Sequence, residues 1–204
     1  MKFDILIIGG GVAGMQCALV LGSAKEKWFA KDKNIGIIMH QRSSHLQNAL
    51  FNNVLGLNPG ALGKDILEMG KNQMNELYPH INQIHSEKVE AVLDDQDGYK
   101  VITNKETYFA KNVVVALNYA KPFSIAGLEQ YVEKHSRANP MKDRIQLRNF
   151  NHLIKDGLYV CGTIAGWRSQ YAIAAGSGAS VATDILTLWN DNISTKVHDK
   201  IKAE

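Results

Sequence analysis

The chain is poor in cysteine and lacks several patterns that mark common functions. Its 204 residues include two cysteines, Cys17 and Cys161, which are far apart, so the C-x-x-C pair of a local redox dithiol is absent. The seven histidines show no ligand spacing, and we therefore expect no metal site. The net charge of +3 is scattered and forms no Lys/Arg tract, which argues against nucleic acid and against an anionic membrane.

Long apolar runs are also missing, which bears on where the protein works. The longest apolar run is far too short to cross a bilayer. The N-terminal run ends in glycines, whereas a signal peptide would end in a cleavage site. We therefore expect a cytoplasmic protein without a membrane partner. An apolar content of 45% and a charged content of 21% are ordinary for a globular protein with one substantial core.

The first part of the chain alternates between strand and helix patterns. The apolar pattern predicts a strand at Phe3–Ile8, a helix from about Gly11 to Leu21 and a second strand at Asn34–His40, which together begin a βαβ unit. A loop-rich stretch follows, and "KDILEMGKNQMNELY" predicts another helix. The runs "EKVEAVLDD", "GYKVITN" and "ETYFA" predict an antiparallel meander, and the apolar "KNVVVALN" predicts a strand that returns to the parallel sheet.

The second part of the chain predicts the remainder of one domain. Pro122 to Leu153 is polar and weakly patterned, and we expect it to cross the surface. "GLYVCGT" predicts a buried strand and "SQYAIAAGSGASVATDILTLW" a long helix, while 191–204 predicts a frayed, charged tail. The fold class expected for 1–204 is therefore a single α/β Rossmann-like domain, with a parallel sheet flanked by helices plus an antiparallel β-meander.

Gly9, Gly11 and Gly14 form a G-x-G-x-x-G motif directly after the first strand and at the start of the first helix. The first glycine permits a tight turn, the second lets the backbone approach a pyrophosphate, and the third lets the helix pack close to the strand. Phosphates are favoured at the helix N-terminus by the N–H groups and the helix dipole. The motif therefore predicts a dinucleotide-binding site.

The end of the second strand lacks an expected residue. An acidic side chain usually binds the ribose hydroxyls there, but the sequence reads Met39-His40-Gln41-Arg42. His40 or Gln41 could hydrogen-bond a ribose, or both could be ordinary loop residues. Arg42 could suit a phosphorylated ribose or could simply be solvated.

The second half of the chain favours one dinucleotide. "GLYVCGTIAGWRSQYAIAAGSGASVATDIL", Gly157 to Leu186, resembles the C-terminal FAD motif of the thioredoxin reductase-like, FAD-dependent pyridine nucleotide-disulfide oxidoreductases, and "DILIIGGGVAG" resembles their N-terminal motif. The "NNVLG" loop, the meander and "VVVALN" follow in the family's order. The resemblance spans nearly the whole chain and implies a half-size member of the family that binds FAD.

The resemblance also implies particular roles for individual residues. Gly9, Gly11, Val12, Ala13 and Gly14 would hold the pyrophosphate; Asn53 would approach the flavin; Val89 would meet the adenine. Ala116 would begin the family's A-T-G turn, Gly162 and Thr163 would meet the ribityl and phosphate region, and the helix start at Gln170, Tyr171 and Ala172 would face the N1/O2 edge of the flavin ring.

Several departures from the family limit the expected function. Full-size relatives insert an NADPH domain with redox cysteines after the "VVVALN" strand, whereas only some forty polar residues stand here, without a second G-x-G-x-x-G. The family's Asp is Thr163, and its A-T-G is Ala116-Leu117-Asn118. We expect an FAD-binding oxidoreductase or electron-transfer protein that lacks its own NADPH domain and dithiol. The alternative is a non-catalytic dinucleotide-binding module, such as a redox sensor or a subunit of a larger complex.

The electron source and partner stay open at this point. Free NADH or NADPH, or an unknown redox partner or small-molecule substrate, would serve an uncovered flavin, and a homodimer would match many relatives. We name no catalytic residue, because hydride transfer to a flavin needs no side-chain nucleophile. Trp167 could cover the flavin, stack on a partner's ring or pack on the surface. Arg168 could pair with a phosphate or be solvated, and we expect Cys17 and Cys161 to be core residues.

Overall fold

The computed structural model of the chain describes residues 1–40 and 46–198. Within these ranges strands and α-helices follow one another as in the alternation predicted for an α/β domain. In chain order the elements are β1 (Lys2–Ile8), α1 (Val12–Ser23), β2 (Ile35–Met39), β3 (Leu50–Phe51), β4 (Ala61–Leu62), α2 (Gly63–Leu77), β5 (Ile81–His85), β6 (Val89–Asp95), β7 (Gly98–Thr103), β8 (Thr107–Val115), β9 (Val132–Lys134), β10 (Ile145–Leu147), β11 (Leu153–Lys155), β12 (Leu158–Val160) and α3 (Tyr171–Trp189).

Five parallel strands form the centre of the fold. Their order is β12-β8-β1-β2-β5, and β11 adds an antiparallel edge beside β12. Numbered along the chain, the parallel strands run 3-2-1-4-5, which is the order of a Rossmann sheet. The predicted fold class is therefore confirmed. Strand β5 was not predicted, because "INQIH" alternates polar and apolar residues weakly and its Asn82 and Gln83 are only half-buried.

The antiparallel meander differs from its prediction in one respect. The two runs "ETYFA" and "KNVVVALN" were expected to be separate strands, but they form the single strand β8. The first half of β8 pairs antiparallel with β7, while the strand as a whole pairs parallel with β1. The exposed Lys111 between the halves made the pattern look interrupted, although the backbone continues through it.

The central sheet has a hydrophobic core on each face. The strands alternate between the two cores: Ile5 and Ile7 of β1 face α1 and α3, whereas Leu6 and Ile8 face the meander. Because successive residues of a strand point to opposite faces, strands buried on both sides read as continuous apolar runs. This accounts for "ILII" and "VVV" in the sequence.

Helices α1 and α3 cross closely on one face of the sheet. A Cβ added to Gly178 would lie 2.0 Å from the carbonyl oxygen of Ala13, so only glycine permits this approach. The small residues of α3 therefore serve helix packing at this point. The length and composition of α3 would also allow it to span a membrane, but the core helices of globular proteins share these properties. In this structure Val181 and Ile185 of α3 are fully buried in the core.

The polar segment between β8 and β11 does more than cross the surface. The prediction was wrong in this respect, because Ile125, Leu128, Ile145 and Leu147 are buried in the core on the meander side. We call residues 116–152 the connecting segment. It contains the strand pair β9–β10, and its buried residues are separated by polar ones, which hides them from a periodicity analysis.

The stretch after α3 is partly anchored. The backbone N–H of Thr195 donates to the Thr187 hydroxyl of α3 over 3.0 Å, and Val197 packs against the core on the α1 and α3 side. Residues 191–198 thus carry no regular helix or strand but contact the body of the domain. The remainder of the predicted tail, 199–204, lies outside the described residues.

Candidate dinucleotide-binding cleft

A cleft of about 450 Å³ lies at the carboxyl ends of the parallel strands. It includes Ile8 and the glycine turn after β1, Ala116 after β8 and Gly162 after β12. Strands β1 and β8 are the neighbours at which the strand order reverses, and open α/β sheets bind ligands at this switch point. Of the residues predicted from sequence, the cleft brings together Gly9, Gly11, Val12, Ala13, His40, Val89, Ala116, Gly162, Thr163, Gln170 and Tyr171.

The glycine turn has the geometry that a pyrophosphate requires. A Cβ at Gly11 would meet no atom within 4 Å, so the backbone there faces open space in the cleft. Gly9 has φ +122° and its Cβ would lie 2.3 Å from the Ala116 oxygen. A Cβ at Gly14 would lie 1.9 Å from the Gly9 oxygen, so Gly14 permits close packing without lining the cleft itself. The backbone thus leaves room at the α1 N-terminus for the phosphates of a dinucleotide.

The two helix N-termini that reach the cleft are alike. Gly11 precedes α1 and Gln170 precedes α3, and neither residue caps its helix with a side-chain hydrogen bond. Within the described chain, the first turns of these helices carry no acidic residue. Their N–H groups and dipoles therefore favour negative charge at two separate places in one cleft. Gln170 itself is the residue before the helix, and its side chain does not act as the cap.

The part of the cleft after β2, where a ribose is expected, holds His40, and among the described residues it offers no available carboxylate. His40 is exposed and lines the cleft after β2, and Gln41 lies outside the described residues. Glu87 also lines the cleft, yet its carboxylate is buried and accepts hydrogen bonds from the Thr103 hydroxyl at 2.7 Å and the Tyr108 hydroxyl at 3.0 Å. Burial and this carboxylate raise the pKa of Tyr108 to about 12. Glu87 is thus already satisfied by the protein.

The part of the cleft at the start of β6, where the adenine is expected, adds a cation that was not predicted from sequence. Lys88 is exposed and lines the cleft between Glu87 and Val89, at the point where β6 begins. Its backbone N–H is held by the Asn104 side chain at 2.8 Å. Lys88 has the charge to meet a phosphate. A single lysine in "SEKVE" gives no sequence signal, because most lysines of this chain are solvated.

The start of α3 meets an aromatic side chain from the β3–β4 pair. Tyr171 packs edge-on against Phe51 with ring centroids 5.3 Å apart, and both rings line the cleft. Burial raises the pKa of Tyr171. The connecting segment contributes the opposite part of the lining, including Asn118 and Phe123. These contributions were missed because they come from a short strand and a polar segment without periodicity.

Two residues implied by the family resemblance lie away from the cleft. Asn53 is exposed in the turn after β3, where the neighbouring Asn52 accepts the Gly60 N–H at 2.8 Å. Ala172 is exposed on α3, because a rotation of about 100° per residue turns it away from the face that carries Tyr171 and Ala174. In this geometry the two residues do not line the cleft, in contrast to their expected roles.

Trp167 packs at the surface, which is one of the three environments predicted for it, and it is 37% exposed. Its ring stacks on His152 with centroids 5.9 Å apart, its indole N–H donates to His152 Nε2 at 3.0 Å, and the Arg137 guanidinium lies 4.7 Å from its ring centroid. It does not line the cleft. Arg168 is exposed beside it. Trp167 therefore joins the connecting segment to the loop before α3.

The cysteines are buried in the same core cluster. Cys17 and Cys161 are both fully buried, as expected, and burial raises the pKa of Cys161 to about 12 and that of Cys17 well above its usual range. Both are therefore protonated and unreactive at neutral pH. Among residues 1–40 and 46–198, no group of three His, Cys, Asp or Glu side chains could hold a metal ion.

The strand order and the cleft at its switch point define a Rossmann-type dinucleotide-binding domain. Residues 3–179 match the family model described as pyridine nucleotide-disulphide oxidoreductase. The chain belongs to this family, which is one of FAD-binding oxidoreductases, and the family resemblance predicted from sequence is confirmed. A comparison with curated proteins found no match.

Solved structures with the same fold are numerous but distant in sequence. A thioredoxin reductase from Gloeobacter violaceus has 15% identity and a TM-score of 0.72, covering 98% of this chain and 99% of its own. An oxidoreductase from Agrobacterium tumefaciens has 16% identity and a TM-score of 0.68, with 91% and 99% covered. A ferredoxin-flavin thioredoxin reductase from Clostridium acetobutylicum has 18% identity and a TM-score of 0.65, with 94% and 98% covered. At these identities the likeness establishes the fold.

Proposed function

We propose that the chain binds FAD and works as a flavin oxidoreductase or electron-transfer protein that receives its electrons from outside the chain. The observation that carries the proposal is one cleft with two uncapped helix N-termini, α1 behind Gly11 and α3 behind Gln170. A dinucleotide with a flavin ring has negative charge at two places, at the pyrophosphate and, when reduced, near N1 and O2 of the ring. Two uncapped helix ends that line one cleft suit such a molecule.

FAD would supply the electron chemistry when bound, and the protein's part is binding and electrostatics. Gly9 and Gly11 would let the backbone approach the pyrophosphate, and His40, which lines the cleft after β2, would meet the ribose. The dipole of α3 favours charge on the reduced ring, which would raise the reduction potential. The packed rings of Tyr171 and Phe51 give the cleft an apolar wall.

The source of electrons lies outside the chain in this proposal. The sequence contains one G-x-G-x-x-G and no C-x-x-C, and its two cysteines are buried thiols with raised pKa values. A free reduced nicotinamide or a partner protein would therefore have to approach an uncovered face of the ring. The Clostridium acetobutylicum protein is a ferredoxin-flavin thioredoxin reductase, which supports a protein donor as one candidate.

A second candidate function is a dinucleotide-binding module without turnover. It is favoured by His40 at the position of the usual ribose carboxylate and by Thr163 at the position of the family's Asp. Both substitutions remove a charged contact with the cofactor. A module of this kind would bind FAD or a related dinucleotide but would not exchange electrons with NADH, NADPH or a protein donor.

The visible spectrum of the purified protein, before and after incubation with FAD, tests the proposal. We expect a bound flavin band that anaerobic NADH, NADPH or a reduced protein donor bleaches. Gly11→Val should abolish the band, because the added side chain fills the open space at the pyrophosphate position. Gly176→Val is the matched control, since a Cβ there also meets no atom within 4 Å but lies on the exposed face of α3.

Each result separates the hypotheses. A colourless wild-type protein that takes up no FAD would exclude both FAD-based functions. A yellow protein that no donor bleaches would favour the module without turnover. If Gly11→Val kept its flavin, the assignment of the pyrophosphate to this turn would be wrong.

A further inference from the structure

The turn after β12 is held by side chains of the connecting segment. We call Gly162–Gly166 the ring-end turn; its Gly162 and Thr163 line the cleft, and Gly162 has φ +77° while Gly166 has φ +88°. Three of its carbonyl oxygens accept side-chain donors. His135 Nε2 reaches the Thr163 oxygen at 3.0 Å, Asn149 Nδ2 the Ala165 oxygen at 3.2 Å, and an Arg137 guanidinium nitrogen the Gly166 oxygen at 3.1 Å.

The tautomer of His135 follows from its neighbours. The backbone N–H of Arg137 donates to His135 Nδ1 at 3.1 Å, so this nitrogen is the acceptor and the ring proton is on Nε2. Nε2–H therefore donates to Thr163. His135 is 5% exposed and packs against the Tyr119 ring. A buried donor of this kind costs free energy when its acceptor moves away, which ties the position of the turn to the histidine.

The other side of the turn is held by α3. The backbone N–H of Gly162 donates to the buried Ser177 hydroxyl at 2.8 Å, and this hydroxyl donates to His152 Nε2 at 2.9 Å. The same nitrogen accepts the indole N–H of Trp167. The ring-end turn is thus fixed at its first residue by α3 and at its later residues by the connecting segment.

We propose that His135, Asn149 and Arg137 are positioning residues that clamp the ring-end turn in its ligand-binding conformation. The clamp draws three carbonyl oxygens toward the connecting segment and thereby away from the cleft, where a carbonyl oxygen would repel the negative charge of a phosphate or of a reduced flavin. The connecting segment accordingly supports the ring-end turn, which lines one side of the cleft. The part that concerns FAD affinity rests on the proposed function, whereas the clamp itself does not.

The experiment compares His135→Leu, which removes the donor, with His135→Gln, whose amide N–H can replace Nε2–H. His80→Leu is the control, because His80 is exposed and does not line the cleft. Hydrogen exchange is measured without FAD on peptides that cover Gly162–Gly166 and on peptides that cover β1. FAD affinity is then measured by fluorescence titration of the same proteins.

We expect His135→Leu to accelerate exchange in the ring-end turn but not in β1, and to raise the FAD Kd about tenfold, the effect of losing one buried hydrogen bond. His135→Gln should bring the exchange rate of the turn and the FAD Kd back to within about threefold of the wild-type values. His80→Leu should resemble the wild type in both measurements. Unchanged exchange in the turn, or acceleration spread equally through β1, would overturn the clamp. A wild-type protein that binds no FAD would refute the proposed function, and the exchange data would still decide on the clamp.

Discussion

The two ends of the cleft are built in different ways. At the pyrophosphate end, the backbone of residues 9–14 forms the turn, and a Cβ added at Gly9 or Gly14 would meet a backbone oxygen, that of Ala116 or of Gly9 respectively. At the ring end, the turn after β12 depends on side chains that come from distant parts of the chain, including His135 and Ser177. A site made by local backbone geometry leaves a short sequence motif, whereas a site made by distant side chains leaves none.

The difference also predicts how each end responds to mutation. At Gly9 and Gly14 of the pyrophosphate end the nearest atoms are backbone oxygens, so a Cβ added at either position must move the backbone. The ring end is a network of hydrogen bonds, in which the loss of one member leaves the others partly in place. We therefore expect large, steric effects at the first end and graded effects at the second.

The largest effect is expected for Gly14→Val in the protein without ligand. The new Cβ would lie 1.9 Å from the Gly9 oxygen, so α1 must shift away from the turn. Overpacking against backbone should lower the free energy of unfolding by about 3 kcal/mol or more. Urea denaturation measures this, with Gly176→Val as a control that should stay within about 0.5 kcal/mol of the wild type. A stable Gly14→Val protein would contradict the rigid character of this end.

A smaller loss is expected for Ser177→Ala at the ring end. The change leaves the Gly162 N–H without its buried acceptor and removes one of the two hydrogen bonds at His152 Nε2, which should cost about 2 kcal/mol. Ser180→Ala on the exposed face of the same helix is the control and should cost almost nothing. Urea denaturation of both variants measures the difference. Equal stability of the two variants would show that the network contributes little to the turn.

The ring end should also respond to pH through His152. Burial lowers the pKa of His152 below its ordinary value of 6.5, although the nearby Asp184 acts in the opposite direction. The unfolded chain then binds the proton more readily than the folded one, so stability is complete above about pH 6.5 and declines as the pH falls below it. Protonation of His152 at Nε2 would also break the hydrogen bonds that this nitrogen accepts from the Trp167 indole N–H and the Ser177 hydroxyl.

The measurement is the free energy of unfolding between pH 7.5 and pH 5 for the wild type and His152→Gln, conditions chosen to bracket the ordinary histidine pKa of about 6.5. We expect a shallower decline in the variant. Although His80 is exposed, partial desolvation and the nearby Lys25 lower its pKa as well, so His80→Gln is the reference for a histidine outside the ring-end network. A His152→Gln profile that parallels the wild type would exclude His152 as a source of the pH dependence.

Much of the fold could be predicted because its signals are local. The run "ILII" before Gly9 and the solid "VVV" of β8 are apolar since both faces of the sheet are covered, and the glycine motif lies within one turn. Strand β5 could not be predicted, because an edge strand with half-buried Asn82 and Gln83 has no clear period. The fold class and the family followed from the local signals alone.

The candidate site could be predicted only where it follows from the motif or the family pattern. His40, Val89 and Thr163 lie in the cleft as those patterns imply, although their contacts with a cofactor stay a prediction. Lys88 and the contribution of Phe123 could not be predicted, because they are brought to the cleft by tertiary packing of segments without periodicity. The clamp residue His135 belongs to the same class, since nothing in "EKHSR" indicates a buried donor.

The smallest effect is expected where family resemblance and geometry disagree. The resemblance places Asn53 beside the flavin, whereas in the structure Asn53 is exposed and does not line the cleft. Asn118 does line the cleft and serves as the comparison. We expect Asn53→Ala to change the FAD Kd by less than about twofold and Asn118→Ala to raise it severalfold, in fluorescence titrations under the same conditions. A loss of affinity in Asn53→Ala alone would mean that the β3–β4 turn closes over the ligand. In that event the β3–β4 turn would also line the ring end of the cleft. The ring end would then depend on still more distant parts of the chain, which would strengthen its contrast with the locally built pyrophosphate end.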